Sequence, residues 1–140
     1  MGTLRGWVVM SWVMLPGVMF GGSLLLRRLT TGDPDPFQAT WIRAFHAHGG
    51  VLIMMSILYY LLLDRTVLSA RAKHVASLTL FVGIGAQVGG FLLHALTGQP
   101  GHGSMGTVVT VAGATLIALA LIALVYGLIR TPRPITDDGV

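Results

Sequence analysis

The sequence predicts an all-α fold, a four-transmembrane-helix bundle forming a single membrane domain over residues 1–140. Three observations carry this. Hydrophobic residues make up 54% of the chain and charged residues only 10%, well below the charge of a soluble domain. Mean hydropathy is +0.77. The apolar residues gather into four runs, at about 6–26, 44–63, 75–96 and 105–129, each near the ~20 residues that cross a bilayer. The remaining segment, 130–140, holds two prolines and two aspartates and reads as a disordered tail.

Composition also narrows function. The chain has no cysteine, which excludes disulfides, thiolate metal sites and cysteine nucleophiles. The net charge of +4 comes from basic residues at helix ends, where membrane topology explains them without nucleic acid. The first apolar run is too long for a signal sequence and ends at Arg27-Arg28 with no small-residue cleavage pattern, so it reads as a retained helix. Gly6 stands where a myristoylation motif needs Ser or Thr. With both termini inside, Arg5, Arg65, Arg71, Lys73, Arg130 and Arg133 face the cytoplasm, against Arg27, Arg28 and Arg43 outside. This balance favours N-in, C-in. We expect an integral protein of a bacterial cytoplasmic membrane.

In the first helix, Pro16 should introduce a kink, and Gly17 and Gly21 form a G-x-x-x-G step suited to close helix packing. Asp33-Pro34-Asp35-Pro36 is turn chemistry. Asp35 as N-cap with Pro36 at the first helical position starts the second helix, whose collar of Trp41 and Arg43 precedes the lipid boundary near Ala44. The second connection, residues 64–74, is basic. An uncharged turn, residues 97–103, leads to Ser104 as cap of the fourth helix. Gly21-Gly22-Ser23-Leu24-Leu25 and Gly89-Gly90-Phe91-Leu92-Leu93 each close an outward-running helix. This leaves open two parallel helical hairpins related by an internal repeat, or chance similarity of glycine- and leucine-rich ends.

The stretch with chemical content is Trp41-Ile42-Arg43-Ala44-Phe45-His46-Ala47-His48-Gly49-Gly50. Imidazoles beside lipid need a metal, a cofactor, water or a buried partner. His46, His48, His94 and His102 all fall toward the outer side and only His74 inside. His48 and His94 come to similar depth on antiparallel neighbours, an arrangement suited to one iron or to opposite edges of one porphyrin. His46 and His48 point roughly 200° apart on a helix. His48, followed by Gly49 and Gly50, is expected to face the bundle core. His46 is expected to face the interface or a neighbouring subunit. Gly83, Gln87, Gly90 and His94 form one small and polar stripe, either a cofactor wall or helix–helix glue, with Gly85 and Gly89 as a further G-x-x-x-G. Thr107 and Thr110 offer hydroxyls at the same level, or bond their own helix. Gly101-His102-Gly103-Ser104-Met105-Gly106 matches G-x-G-x-x-G but lacks a preceding strand, so it reads as a flexible turn. No acidic residue lies within a span, which weighs against proton pumping. Methionines such as Met10, Met14, Met54 and Met55 read as bundle filling.

At Trp41-Ile42-Arg43-Ala44-Phe45-His46-Ala47-His48-Gly49 the chain resembles the styrene oxide isomerase family of small four-helix membrane proteins. The resemblance extends to size, four spans, the long first loop and the basic second loop. It implies trimers carrying haem b in the membrane, with a histidine of this stretch as axial ligand; the family spacing is off by one residue for His46 and by two for His48, and the adjacent Gly49 and Gly50 point to His48. It also implies conversion of lipophilic epoxides to aldehydes, with ferric iron as Lewis acid. The family's helix-three tyrosine has no equivalent here, where residues 87–94 stand, and its asparagine after the ligand falls near Met54 or Val51. The haem site therefore carries over better than the activity. The cofactor-binding candidates are His48, His94, His46, Gly49, Gln87 and Thr110, with His48 the metal ligand and His94 a possible second. Two other functions stay open. One is a b-type cytochrome ligated by both His48 and His94, and the other is a non-catalytic membrane subunit. The expected partners are membrane lipids, a small lipophilic substrate and further copies of the chain.

Overall fold

The computed structural model describes residues 2–32 and 34–131. Asp33, from the predicted turn, and 132–140, from the predicted tail, lie outside the described residues. Four helices follow one another, α1 (Gly2–Thr31), α2 (Pro36–Asp64), α3 (Ala70–Thr97) and α4 (Met105–Ile129). Among the described residues there is no strand. Each helix is long and apolar enough to cross a membrane, as the composition predicts.

The helix boundaries have local causes. Asp35 accepts a hydrogen bond from the Gln38 amide, with Pro36 at the first helical position, as the sequence indicates. Ser104 accepts from the Gly106 amide, and Thr107 Oγ1 accepts in turn from the Ser104 amide, closing a capping box on α4. One boundary differs from expectation. Ser69 caps α3 by accepting from the Ala72 amide, so Arg71, Lys73 and His74 belong to the first turns of a helix, not to a loop. Lys73 Nζ then donates to the Asp64 carbonyl oxygen at 2.7 Å, fastening the start of α3 to the end of α2. The α1 helix runs on through Pro16 without a break.

In lipid the hydrophobic effect does not drive helices together, and close packing must do so. The α3–α4 pair shows how. On α4 the buried residues Gly106, Gly113, Ala120 and Gly127 recur every seven positions, and on α3 Ala76, Gly83 and Gly90 do the same. A seven-residue repeat keeps one seam in register along a left-handed pair. A methyl group on Gly113 would overlap the Gln87 backbone, and one on Gly90 or Gly106 would overlap the facing helix. These two helices therefore touch almost backbone to backbone. Tyr59 adds α2 to the pair by donating to the Ala120 carbonyl oxygen at 3.0 Å. Tyr59, Tyr60, Leu63, Leu80 and Leu124 form a buried apolar cluster near the end of the bundle that holds Leu4.

α1 is attached differently. It packs along α2 and touches α3 only briefly, and most of its side chains are exposed. Gly17 and Gly21 were expected to mediate close packing, but a methyl group on either would meet nothing within 4 Å. The same holds for Gly85 and Gly89 on α3. Both G-x-x-x-G steps border open space, because α1 stands away from α3.

This contrast gives a direct test. Gly113→Ala should destabilise the protein by ~1–3 kcal/mol through overpacking. Gly17→Ala should be neutral or stabilising by up to ~1 kcal/mol, since alanine favours a helix interior. Reversible unfolding in mixed micelles measures both.

Candidate functional site

The six candidate residues occupy three separate places. Gln87, Thr110 and His94 belong to the α3–α4 seam. Thr110 Oγ1 donates to the Gln87 carbonyl oxygen at 3.5 Å, and Gly90 lies directly beneath Thr110. The stripe of Gly83, Gln87, Gly90 and His94 is thus helix–helix contact, the second of the two readings the sequence allowed. His94 is buried, with Nδ1 2.7 Å from Ser104 Oγ and 3.4 Å from Thr107 Oγ1. Its imidazole packs edge-on against Trp41, with centroids 4.5 Å apart, and against Phe37. Gly98 leaves room for the ring, since a methyl group there would lie 2.5 Å from His94 Nδ1. His94 locks the turn between α3 and α4.

The expected facing of His46 and His48 is reversed. His46 is half-buried and, with Gly49, lines a cavity between α1, α2 and α3. Its ring presses on α1, where a methyl group on Gly22 would lie 2.6 Å from Nε2. That nitrogen sits close to Gly22 of α1 at the edge of the cavity. The sequence reading placed His46 outward because it gave Gly49 and Gly50 to the face of His48. In the fold Gly49 faces Val88 and Gly50 faces Val18, both on the His46 side, toward α1 and the cavity.

His48 is exposed on the outside of the bundle. Its Nδ1 lies 2.9 Å from the Ala44 carbonyl oxygen. A carbonyl only accepts, so Nδ1 carries a proton, and in the neutral imidazole the lone pair then lies on Nε2. Phe91 backs the ring, with centroids 4.8 Å apart. Phe91 in turn stacks on Trp41, at 5.9 Å, and Trp41 contacts His94. Phe91 and Trp41 thus form a chain of ring contacts between the exposed His48 and the buried His94. Among the described residues, no three His, Asp or Glu side chains gather as a metal-binding group.

Sequence reasoning missed the cavity. It measures about 600 Å³ and is lined by Gly17, Gly21, Gly85 and Gly89, by apolar side chains, and by Ser11, Ser56 and Tyr60. The signal was present in α1, where glycines at 17, 21 and 22 sit opposite glycines at 49 and 50, but glycine spacing alone does not tell contact from void.

The fold and these side chains define an integral membrane four-helix bundle with an exposed imidazole on α2 and an apolar cavity between α1, α2 and α3. No known family, no curated protein and no solved structure matches the chain.

Ser104 joins the α4 cap to His94, so Ser104→Ala should cost ~1 kcal/mol for the cap alone. Faster amide exchange in the first turn of α4, with the far end of the helix unchanged, is the expected signature.

Proposed function

We propose that this protein binds haem b through His48 and acts as a membrane isomerase of small lipophilic epoxides. One observation carries the reading. His48 donates Nδ1–H to the Ala44 carbonyl on the exposed face of α2, which in the neutral ring leaves the Nε2 lone pair for a ligand. A ligating histidine normally has this second bond, which fixes the tautomer and raises the basicity of the ligand nitrogen. In lipid, a lone pair without a partner is costly, and a metal relieves that cost.

The residues present fit an axial ligand on one side of an iron. Phe91 limits the rotation of the imidazole. His94 is buried against Trp41 and Phe37 at the α3–α4 turn while His48 is exposed, which favours a five-coordinate site over the cytochrome reading. When bound, a ferric haem supplies a Lewis acid for an epoxide oxygen. The surrounding apolar surface keeps water from the reacting centre, and the bilayer delivers the substrate. Because His48 stands on the exterior, this reading calls for a second copy of the chain to cover the site, in keeping with an oligomer.

Haem-replete protein purified in mild detergent should show a Soret band that shifts on adding imidazole or azide. His48→Ala should remove the band, and His94→Asn should retain it. The same preparation should convert styrene oxide to an aldehyde. A colourless wild-type protein, or a band lost equally in both variants, contradicts the assignment of His48.

A further inference from the structure

The end of the bundle that holds Leu4 carries a second concave feature. A groove of about 600 Å³ runs along the outside of the α3–α4 pair. Its floor is Ala76 and Ala120, 6% and 1% exposed. Both belong to the seven-residue seam that brings these helices together, and side chains this small leave a furrow over the seam. Val75 and Leu119, both exposed, and the half-buried Leu116 form its walls. Thr79 also lines it, but its hydroxyl donates to the Val75 carbonyl oxygen of its own helix at 2.9 Å. The other polar lining residues, Ser69 and Arg71, stand together at the mouth. Ser69 Oγ accepts from the Ala72 amide and keeps its own proton to donate. Arg71 is exposed, and its guanidinium offers a planar fork of donors with a permanent charge.

Charge and length narrow the occupant. No acidic side chain lines the groove. At this end of the bundle Arg5, Arg65, Arg71, Lys73 and Arg130 stand against Asp64 alone among the described residues. Two of these cations are engaged within the fold, Lys73 with the Asp64 carbonyl oxygen and Arg130 over the Tyr126 ring at 4.9 Å. The surplus positive charge repels the ammonium of a zwitterionic headgroup and favours an anion. A guanidinium fork suits a phosphate, which it can bind through two parallel hydrogen bonds. A free anion would use the mouth alone and leave the alanine floor bare, whereas a lipid covers both. From Arg71 to Thr79 the groove follows α3 for ~12 Å at ~1.5 Å per residue. That is close to the ~15 Å that one leaflet contributes to a ~30 Å hydrocarbon core.

We propose that this groove binds one anionic phospholipid, whose phosphate accepts from the Arg71 guanidinium and the Ser69 hydroxyl while an acyl chain lies over Ala76 and Ala120. The site involves neither His48 nor haem, so its failure and the failure of the haem reading are separable.

The test uses the full chain in phosphatidylcholine vesicles, with chain-spin-labelled phosphatidylglycerol and phosphatidylcholine as probes. Electron spin resonance separates protein-held from bulk lipid. Wild type should hold phosphatidylglycerol roughly 5-fold more tightly than phosphatidylcholine, the factor expected of one basic side chain at a membrane surface. Arg71→Gln should remove most of that preference, and Arg71→Lys should restore part of it. Arg65→Gln, which removes the same charge at the same end but outside the groove, should leave most of it in place. Ala123→Leu, which enlarges a lining side chain and keeps every charge, should release the held phosphatidylglycerol. Inorganic phosphate should not displace the lipid. Four outcomes overturn the proposal. Equal losses in Arg71→Gln and Arg65→Gln mean diffuse attraction to the whole basic end. Full preference in Ala123→Leu means that no chain lies in the groove. Displacement by inorganic phosphate means a site for a free anion. No preference in wild type means that ordinary lipid or a second copy of the chain covers the groove.

Discussion

Within hydrocarbon every hydrogen-bonding group must find a partner, and this constraint orders the whole molecule. Most polar side chains meet it locally. Ser77, Thr79, Thr97 and Thr115 donate to carbonyls four residues back on their own helices. Tyr59 and the Ser11–Ser56 pair meet it across helices. His94 meets it at the α3–α4 turn. Other polar groups have no partner among the described residues, including the Nε2 of His48 and the Tyr60 hydroxyl.

Glycine has two opposite uses in the bundle. In the α3–α4 seam, Gly83, Gly90, Gly106 and Gly113 bring backbones together and make those helices a rigid pair. Along α1 and the other face of α3, Gly17, Gly21, Gly85 and Gly89 hold nothing and leave a cavity. Adjacent glycines split between the two roles. Gly89 borders open space while Gly90 takes Thr110, and Gly21 borders open space while Gly22 takes the ring of His46. This shared division of labour is what the two similar helix ends have in common.

The four spans, the Asp35 cap and the Ser104 cap were legible in the sequence because each follows from local rules: run length, side-chain capping and proline at the first turn. The start of α3 was not, because charge at Arg71 and Lys73 resembled a loop and the Ser69 cap was overlooked. The facing of His46 and His48 was misjudged for a different reason. Sequence shows that two positions lie on opposite faces of a helix, but not which face meets a neighbour. That depends on where α1 packs, a tertiary fact. The cavity was invisible for the same reason, since a G-x-x-x-G step reads identically whether a helix lies against it or stands away.

The proposed haem site depends on one nitrogen, His48 Nε2 at the surface of α2. Nitrogen-15 NMR of histidine-labelled, haem-replete protein in lipid observes it directly, with the His48 signal assigned by comparison with His48→Gln. The account predicts a protonated Nδ1 and an Nε2 resonance displaced far outside the diamagnetic range by the bound iron. A His48 ring protonated at Nε2, with ordinary shifts for both nitrogens, would contradict it.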